Sequence, residues 1–203
     1  MVPLYVLAIT YLFSETVNET TEETRWKYTE EADSVILEAS TPKHTTRIEC
    51  TKELQFERML VTSKESTLDM KRQESKLTAT EISPKNTTSE TYPLNGKPWI
   101  QQLWFGLSPF AKSTDKEITF YTIDPSSLKI FKLIAKKTEV ETLKIKEVDY
   151  LAQKMVVTLP GFKGQFWKAH IWFDAKTHHF LKYVGNRGPG TKTSTILSLG
   201  EIK

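Results

Sequence analysis

The stretch Phe166–Gly190 constrains the fold more than any other part of this sequence. Two aromatic-rich runs, Phe166–Phe173 and His178–Val184, flank a short polar break at Asp174–Thr177. That is the pattern of a β-hairpin with a four-residue loop.

Shorter strand-like runs precede it. Ser34–Ala39 and Thr45–Cys50 flank a turn at Thr41–His44. Leu54–Thr62, Ser66–Arg72 and Lys76–Ile82 follow, and Ser83–Ser89 reads as a loop. Later come Glu117–Ile123, a turn at Asp124–Ser126, Leu128–Lys136, Val140–Ile145 and Tyr150–Leu159. Thr193–Leu199 reads as a last strand. Their polar, alternating character is that of a sheet with one wet face. A single segment breaks the pattern. Trp99, Ile100, Leu103, Trp104 and Leu107 fall at helical spacing, with Pro98 suited to a first turn and Pro109 to a stop. The expected fold is therefore all-β with one short helix. An antiparallel meander forms an open or nearly closed barrel packed on a helix around Trp99–Leu107. That helix reads as a plug in the concave face, with the wall of an apolar pocket as its functional alternative.

At 203 residues the chain supports one domain with a substantial core. The expected organisation is a signal peptide at residues 1–14, a polar linker at 15–24 and a single barrel-like domain at 25–203. The apolar run Val2–Phe13 is too short to span a bilayer and fits a signal-peptide core, although no basic region precedes it. No cysteine follows it for lipidation. Export to the periplasm or beyond is expected, a cytoplasmic location being the alternative.

Net charge is +3, but residues 1–95 sum to −5 and residues 96–203 to +8. The basic half is mostly dispersed lysine, which reads as a solubilising sheet surface rather than a nucleic-acid interface. Cys50 is the only cysteine, so no intramolecular disulfide forms, and its strand-like setting reads as a buried inert thiol.

Catalytic signatures are lacking: no zinc-protease, nucleophile-elbow, dinucleotide-binding or phosphate-loop motif occurs. The expected hairpin register sets Phe173 opposite His178 and Trp172 opposite His179. His170 and His179 then share a face, about 7–8 Å apart. Two such ligands make a poor zinc site, so no metal and no cofactor are expected. Glu139 and Glu141 read as a solvated ion-pair face among lysines. The glycine-rich segment Asn186–Gly190 reads as a tight turn, with Arg187 paired to an acidic neighbour.

Several segments carry a resemblance: Pro98-Trp99-Ile100-Gln101-Gln102, Ile118–Ile123, Trp167–Phe173, Phe180–Tyr183 and Gly185–Gly190. Over roughly Trp99–Leu199 the chain resembles a family of uncharacterised, mostly exported bacterial proteins that share a β-rich domain of unknown function. A meander wrapped on a helix also looks like the lipoprotein carriers LolA and LolB. The expected function is that of a non-enzymatic exported β-protein that binds an apolar ligand, such as a lipid, or a cell-envelope partner. Its expected lining is Trp99, Leu103, Trp104, Trp172 and Phe180. The alternative is a structural or interaction module with a filled core and no small ligand. An enzyme has the least support.

Overall fold

The computed structural model describes residues 7–186 and 193–202. Fourteen strands form one sheet: β1 (Leu7–Val17), β2 (Thr20–Glu30), β3 (Ser34–Ser40), β4 (His44–Thr51), β5 (Phe56–Ser63), β6 (Thr67–Gln73), β7 (Lys76–Ile82), β8 (Thr87–Pro93), β9 (Glu117–Ile123), β10 (Ile130–Ile145), β11 (Val148–Thr158), β12 (Lys168–Asp174), β13 (Phe180–Asn186) and β14 (Thr193–Ile202). Two helical turns, α1 (Leu103–Gly106) and α2 (Ser108–Lys112), lie between β8 and β9. The sheet order is β8-β7-β6-β5-β4-β3-β2-β1-β14-β13-β12-β11-β10-β9. Except for β8 and β9, sequence neighbours pair antiparallel, and β1 pairs with β14 to join two meandering arms. Among the described residues β8 and β9 are the two ends, so the sheet is an unclosed barrel.

Side chains alternate between the two faces of each strand. The inner face gathers Leu37, Ile48, Phe56, Met70 and Leu77 from one arm and Phe120, Met155, Ile171 and Phe173 from the other. Phe105, Leu107 and Phe110 of the helical segment fill the space between them. Each fully buried side chain of this size contributes about 1.5–3 kcal/mol.

The sequence expectation fails most clearly at residues 15–24. They are not a linker: Glu15 faces Glu22 and Val17 faces Thr20 in a continuous β1–β2 ladder. Asn18 and Glu19 both take positive φ, +46° and +67°, as a two-residue hairpin turn requires. Leu7–Phe13, the described part of the apolar run, is strand in the middle of the sheet, with Phe13 buried. Among the described residues the sheet thus already includes Leu7–Thr24, ahead of the expected boundary at residue 25. Two further segments differ. Thr87–Ser89 belongs to β8 rather than to a loop. Leu128–Lys136 and Val140–Ile145 are largely one strand, β10, with a shift of register between Lys137 and Val140.

Candidate functional site

The segment after β8 runs first along the edge of β9. Ile100 N–H donates to the Tyr121 carbonyl, and Tyr121 N–H donates to the Pro98 carbonyl, each at 2.9 Å. Trp99 and Tyr121 form a parallel bridge there. Trp99 is thus extended, not helical, which corrects the single helix expected over Trp99–Leu107. The backbone groups that a helix would use are already bonded to β9. Gln101 locks the arrangement. Its Oε1 accepts from Trp99 Nε1 at 3.2 Å, Thr122 Oγ1 at 3.2 Å and the Ile123 N–H at 3.0 Å. Its Nε2 donates to the Ile123 carbonyl at 2.6 Å.

Helix starts only at Leu103. Pro109 does not end it but opens the second turn, a position where its missing N–H is not needed. Gly106 packs so close to Ile100 that an added Cβ would lie 2.5 Å from the Ile100 methyl, so the residue must be glycine unless Ile100 moves. Phe105, Leu107, Phe110 and Ala111 are buried; of the face expected to form a plug, Trp99, Ile100 and Leu107 are buried while Leu103 and Trp104 are half-buried.

The five expected lining residues separate into three groups. Trp104 and Phe180 meet: their rings lie 6.2 Å apart, and Phe13 contacts both, at 6.2 and 5.4 Å. Leu103, half-buried, precedes Trp104 on α1. Trp99 is 1% exposed, edge-on to Phe56, and belongs to the deep core rather than to any rim. Trp172 is on the opposite face of the sheet, because its neighbour Phe173 takes the inward position. Phe13 joins them from β1; its place in an apolar run that looks like a leader hides this role in the sequence. At this junction Trp104 is half-buried, and its Nε1 is fully buried without a hydrogen-bond partner.

On the outer face Trp172 packs with Ile145, Ala152 and Leu181 in a second, small cluster. Its indole N–H donates to Glu141 at 2.6 Å. Lys154 bridges Glu139 at 2.6 Å and Glu141 at 3.9 Å. The Lys154 hydrogen bond holds the Glu139 carboxyl below its ordinary range. His170 lies 6.0 Å from the Trp172 ring, and burial, with Lys154 and Lys168 nearby, pushes its pKa down. This is the expected ion-pair face rather than an acid–base pair in a cleft.

The hairpin register also differs from expectation. Phe173 faces Phe180 and Trp172 faces Lys182, with Leu181 inserted as a bulge. His178 has a φ of +59° and belongs to the turn, where the Asp174 carboxylate accepts the N–H groups of Lys176 and Thr177. His179 stands edge-on to Tyr11, whose ring stacks on the core residue Phe13, while His170 points to the other face. The two do not share a face, and no cluster of three metal-binding side chains occurs among the described residues. Cys50 is buried, which pushes its thiol pKa far up. Arg187 and Gly188–Gly190 lie outside the described residues.

An open groove of about 620 Å³ also crosses the outer face, between Arg25, Lys27, Arg47 and Leu60. It is lined by residues of β1 to β5 and is separate from the Trp104 junction.

No family model and no curated protein sequence matches the chain. Its fold does have a counterpart among solved structures. A β-barrel-like protein of domain of unknown function DUF1849 from Brucella abortus aligns with a TM-score of 0.53 at 13% identity. The alignment covers 99% of this chain and 98% of that one. The likeness is one of fold, and it agrees with the β-rich domain of unknown function that the sequence resembles. The hypothetical lipoprotein YmcC from Escherichia coli aligns at a TM-score of 0.37 and 13% identity, over 98% of this chain and 89% of that one. A LolA superfamily protein from Nitrosomonas europaea aligns at 0.26 and 7%, over 98% and 86%. Similarity at these two levels carries no argument about function.

Proposed function

We propose that the chain is a non-enzymatic protein of the cell envelope, exported to the periplasm, that takes an apolar group at the mouth of its curled sheet. The contact residues are Leu103, Trp104 and Phe180, with Phe13 beneath them. The ligand is an acyl chain with a polar head, or an exposed apolar segment of an envelope partner carrying a backbone carbonyl. The observation behind this reading is Trp104. Its indole is only half-buried among aromatic rings, while its N–H is withdrawn from water without an acceptor. A buried indole N–H normally finds a partner, and leaving one unpaired costs about 1–3 kcal/mol. An acyl chain packs on the exposed part of the indole, and a ligand acceptor reaches the N–H only when the ring turns.

Native mass spectrometry of protein purified from its own cells tests the proposal. The expected result is a lipid-sized adduct that Trp104→Ala protein lacks. Absence of any adduct, together with no binding of a fluorescent fatty acid, would overturn it. A second reading then takes its place, a filled interaction module. The depth of the core favours it, since Phe56, Trp99, Phe120 and Phe173 are all fully buried.

A further inference from the structure

The two ends of the sheet are treated differently. The β9 edge is covered by Pro98–Ile100, which hydrogen-bonds to Tyr121. The β8 edge has no strand beyond it among the described residues. Native sheets usually protect such an edge with charged side chains, proline, a bulge or a covering segment. Strand β8 reads Thr-Thr-Ser-Glu-Thr-Tyr-Pro: it has one charge, Glu90, and a proline only at its last position, and it pairs with β7 without a break in register.

The direction of its backbone groups follows from the flanking bonds. Leu94 N–H donates to the Ser75 carbonyl at 2.7 Å, and Ser83 N–H donates to the Asn86 carbonyl at 2.9 Å. Backbone groups alternate in direction along a strand. Those of Thr88, Glu90 and Tyr92 therefore face β7, and those of Thr87, Ser89 and Thr91 face outward. Pro93, which has no N–H to give, falls on the outward set at the strand's end. On the outer face of the sheet, Thr78 bonds to Thr91 at 3.0 Å and Thr80 to Ser89 at 2.9 Å, which holds β8 flat against β7.

We propose that β8 is a docking edge for a second copy of this chain, the two β8 strands pairing antiparallel about Ser89. In this register Ser89 faces Ser89 of the second copy and Thr87 faces its Thr91. Every outward donor and acceptor of Thr87, Ser89 and Thr91 is then matched. Glu90 faces Thr88 of the second copy, so no charge is set directly against its like. A two-fold axis at Thr91 would set Ser89 against Pro93 and lose a donor. An axis at Thr87 would bring in Lys85 from the Ser83–Asn86 turn. Ser89 is therefore the favoured centre, and the contact is isologous, closing at two copies.

Sedimentation and disulfide trapping test this. The wild-type chain is expected to sediment as a dimer that dissociates on dilution. Ser89→Pro removes an outward N–H and the Ser89–Thr80 side-chain bond, but no backbone bond to β7. It is expected to give a monomer with unchanged circular dichroism and a slightly lower melting temperature. Ser89→Cys places two thiols across a hydrogen-bonded pair about 5.5 Å apart at Cα, within disulfide reach. It is expected to oxidise to a covalent dimer much faster than Thr88→Cys, with the buried Cys50 silent in both. A wild-type chain that stays monomeric at its solubility limit would overturn the proposal. So would Thr88→Cys trapping the dimer as fast as Ser89→Cys, or a dimer that survives in a folded Ser89→Pro protein.

Discussion

The indole N–H of Trp172 donates to the carboxylate of Glu141 at 2.6 Å, across 31 residues of sequence and on the face of the sheet turned away from the main core. Lys154 and Lys182 place their ammonium groups 5.7 and 5.5 Å from the same ring. Trp172 thus ties β10, β11 and β12 together on the outer face, opposite the cluster that holds Trp104 and Phe180. Trp172→Phe, which keeps the ring and removes the donor, is expected to cost about 1–3 kcal/mol by leaving the Trp172–Glu141 bond unmade. Fatty-acid binding should be unchanged. Chemical denaturation measures the first, and a probe titration the second. Weakened probe binding would return Trp172 to the ligand site.

Gln101 is the second structural anchor. Its side chain serves the Trp99 indole, the Thr122 hydroxyl and both backbone groups of Ile123. Gln101→Ala strips the acceptor from a deeply buried indole and frees the capping segment from β9. The expected loss is about 1–3 kcal/mol per buried group left unpaired, seen as a lower denaturation midpoint. Amide hydrogen exchange should rise first at Ile123. An unchanged midpoint would show that water replaces the glutamine.

The outer cluster also sets a pH response. His170 is partly buried, and burial first, then Lys154 and Lys168, pushes its pKa below the ordinary 6.5. The fold therefore favours the neutral ring. Above pH 6.5 the group is neutral in both states and this contribution is fully present. As pH falls below 6.5 the unfolded chain takes up the proton first, and stability is lost through the folded-state pKa. Melting temperature should fall across that window, and His170→Leu should remove part of the fall. An NMR titration placing His170 above 6.5 would contradict the assignment.

Much of the fold was legible where one face of a strand is apolar. Lys76–Ile82 has the bounds expected from its alternation, and so does Glu117–Ile123. The β1–β2 hairpin was hidden for two reasons. The first half of β2, Thr20–Thr24, is polar on both faces, and Glu19 adopts a left-handed conformation that its side chain does not advertise. A bulge masks register in the same way. Leu181 shifts the pairing of the aromatic hairpin, so the histidine geometry drawn from a four-residue loop could not hold. The helical spacing of Trp99, Ile100 and Leu103 came from two structures in succession, an edge-capping extended segment and a short helical turn. Of the site, Trp104 and Phe180 could be named from their aromatic character. Their meeting with Phe13 depends on β1 lying beside β14, a pairing of the two ends of the chain that no local pattern signals.

The most direct measurement is a titration of wild-type and Trp104→Ala protein with a fluorescent fatty acid, alongside chemical denaturation of both. A tryptophan fully inside a core costs about 3–5 kcal/mol on truncation to alanine. Trp104 is only half-buried and carries an unpaired N–H, so the expected stability loss is well below that range. Probe affinity should meanwhile fall about tenfold, equivalent to roughly 1.4 kcal/mol of binding energy. A core-sized stability loss with unaltered probe affinity, or a wild-type protein that binds no probe, would contradict the apolar-ligand account.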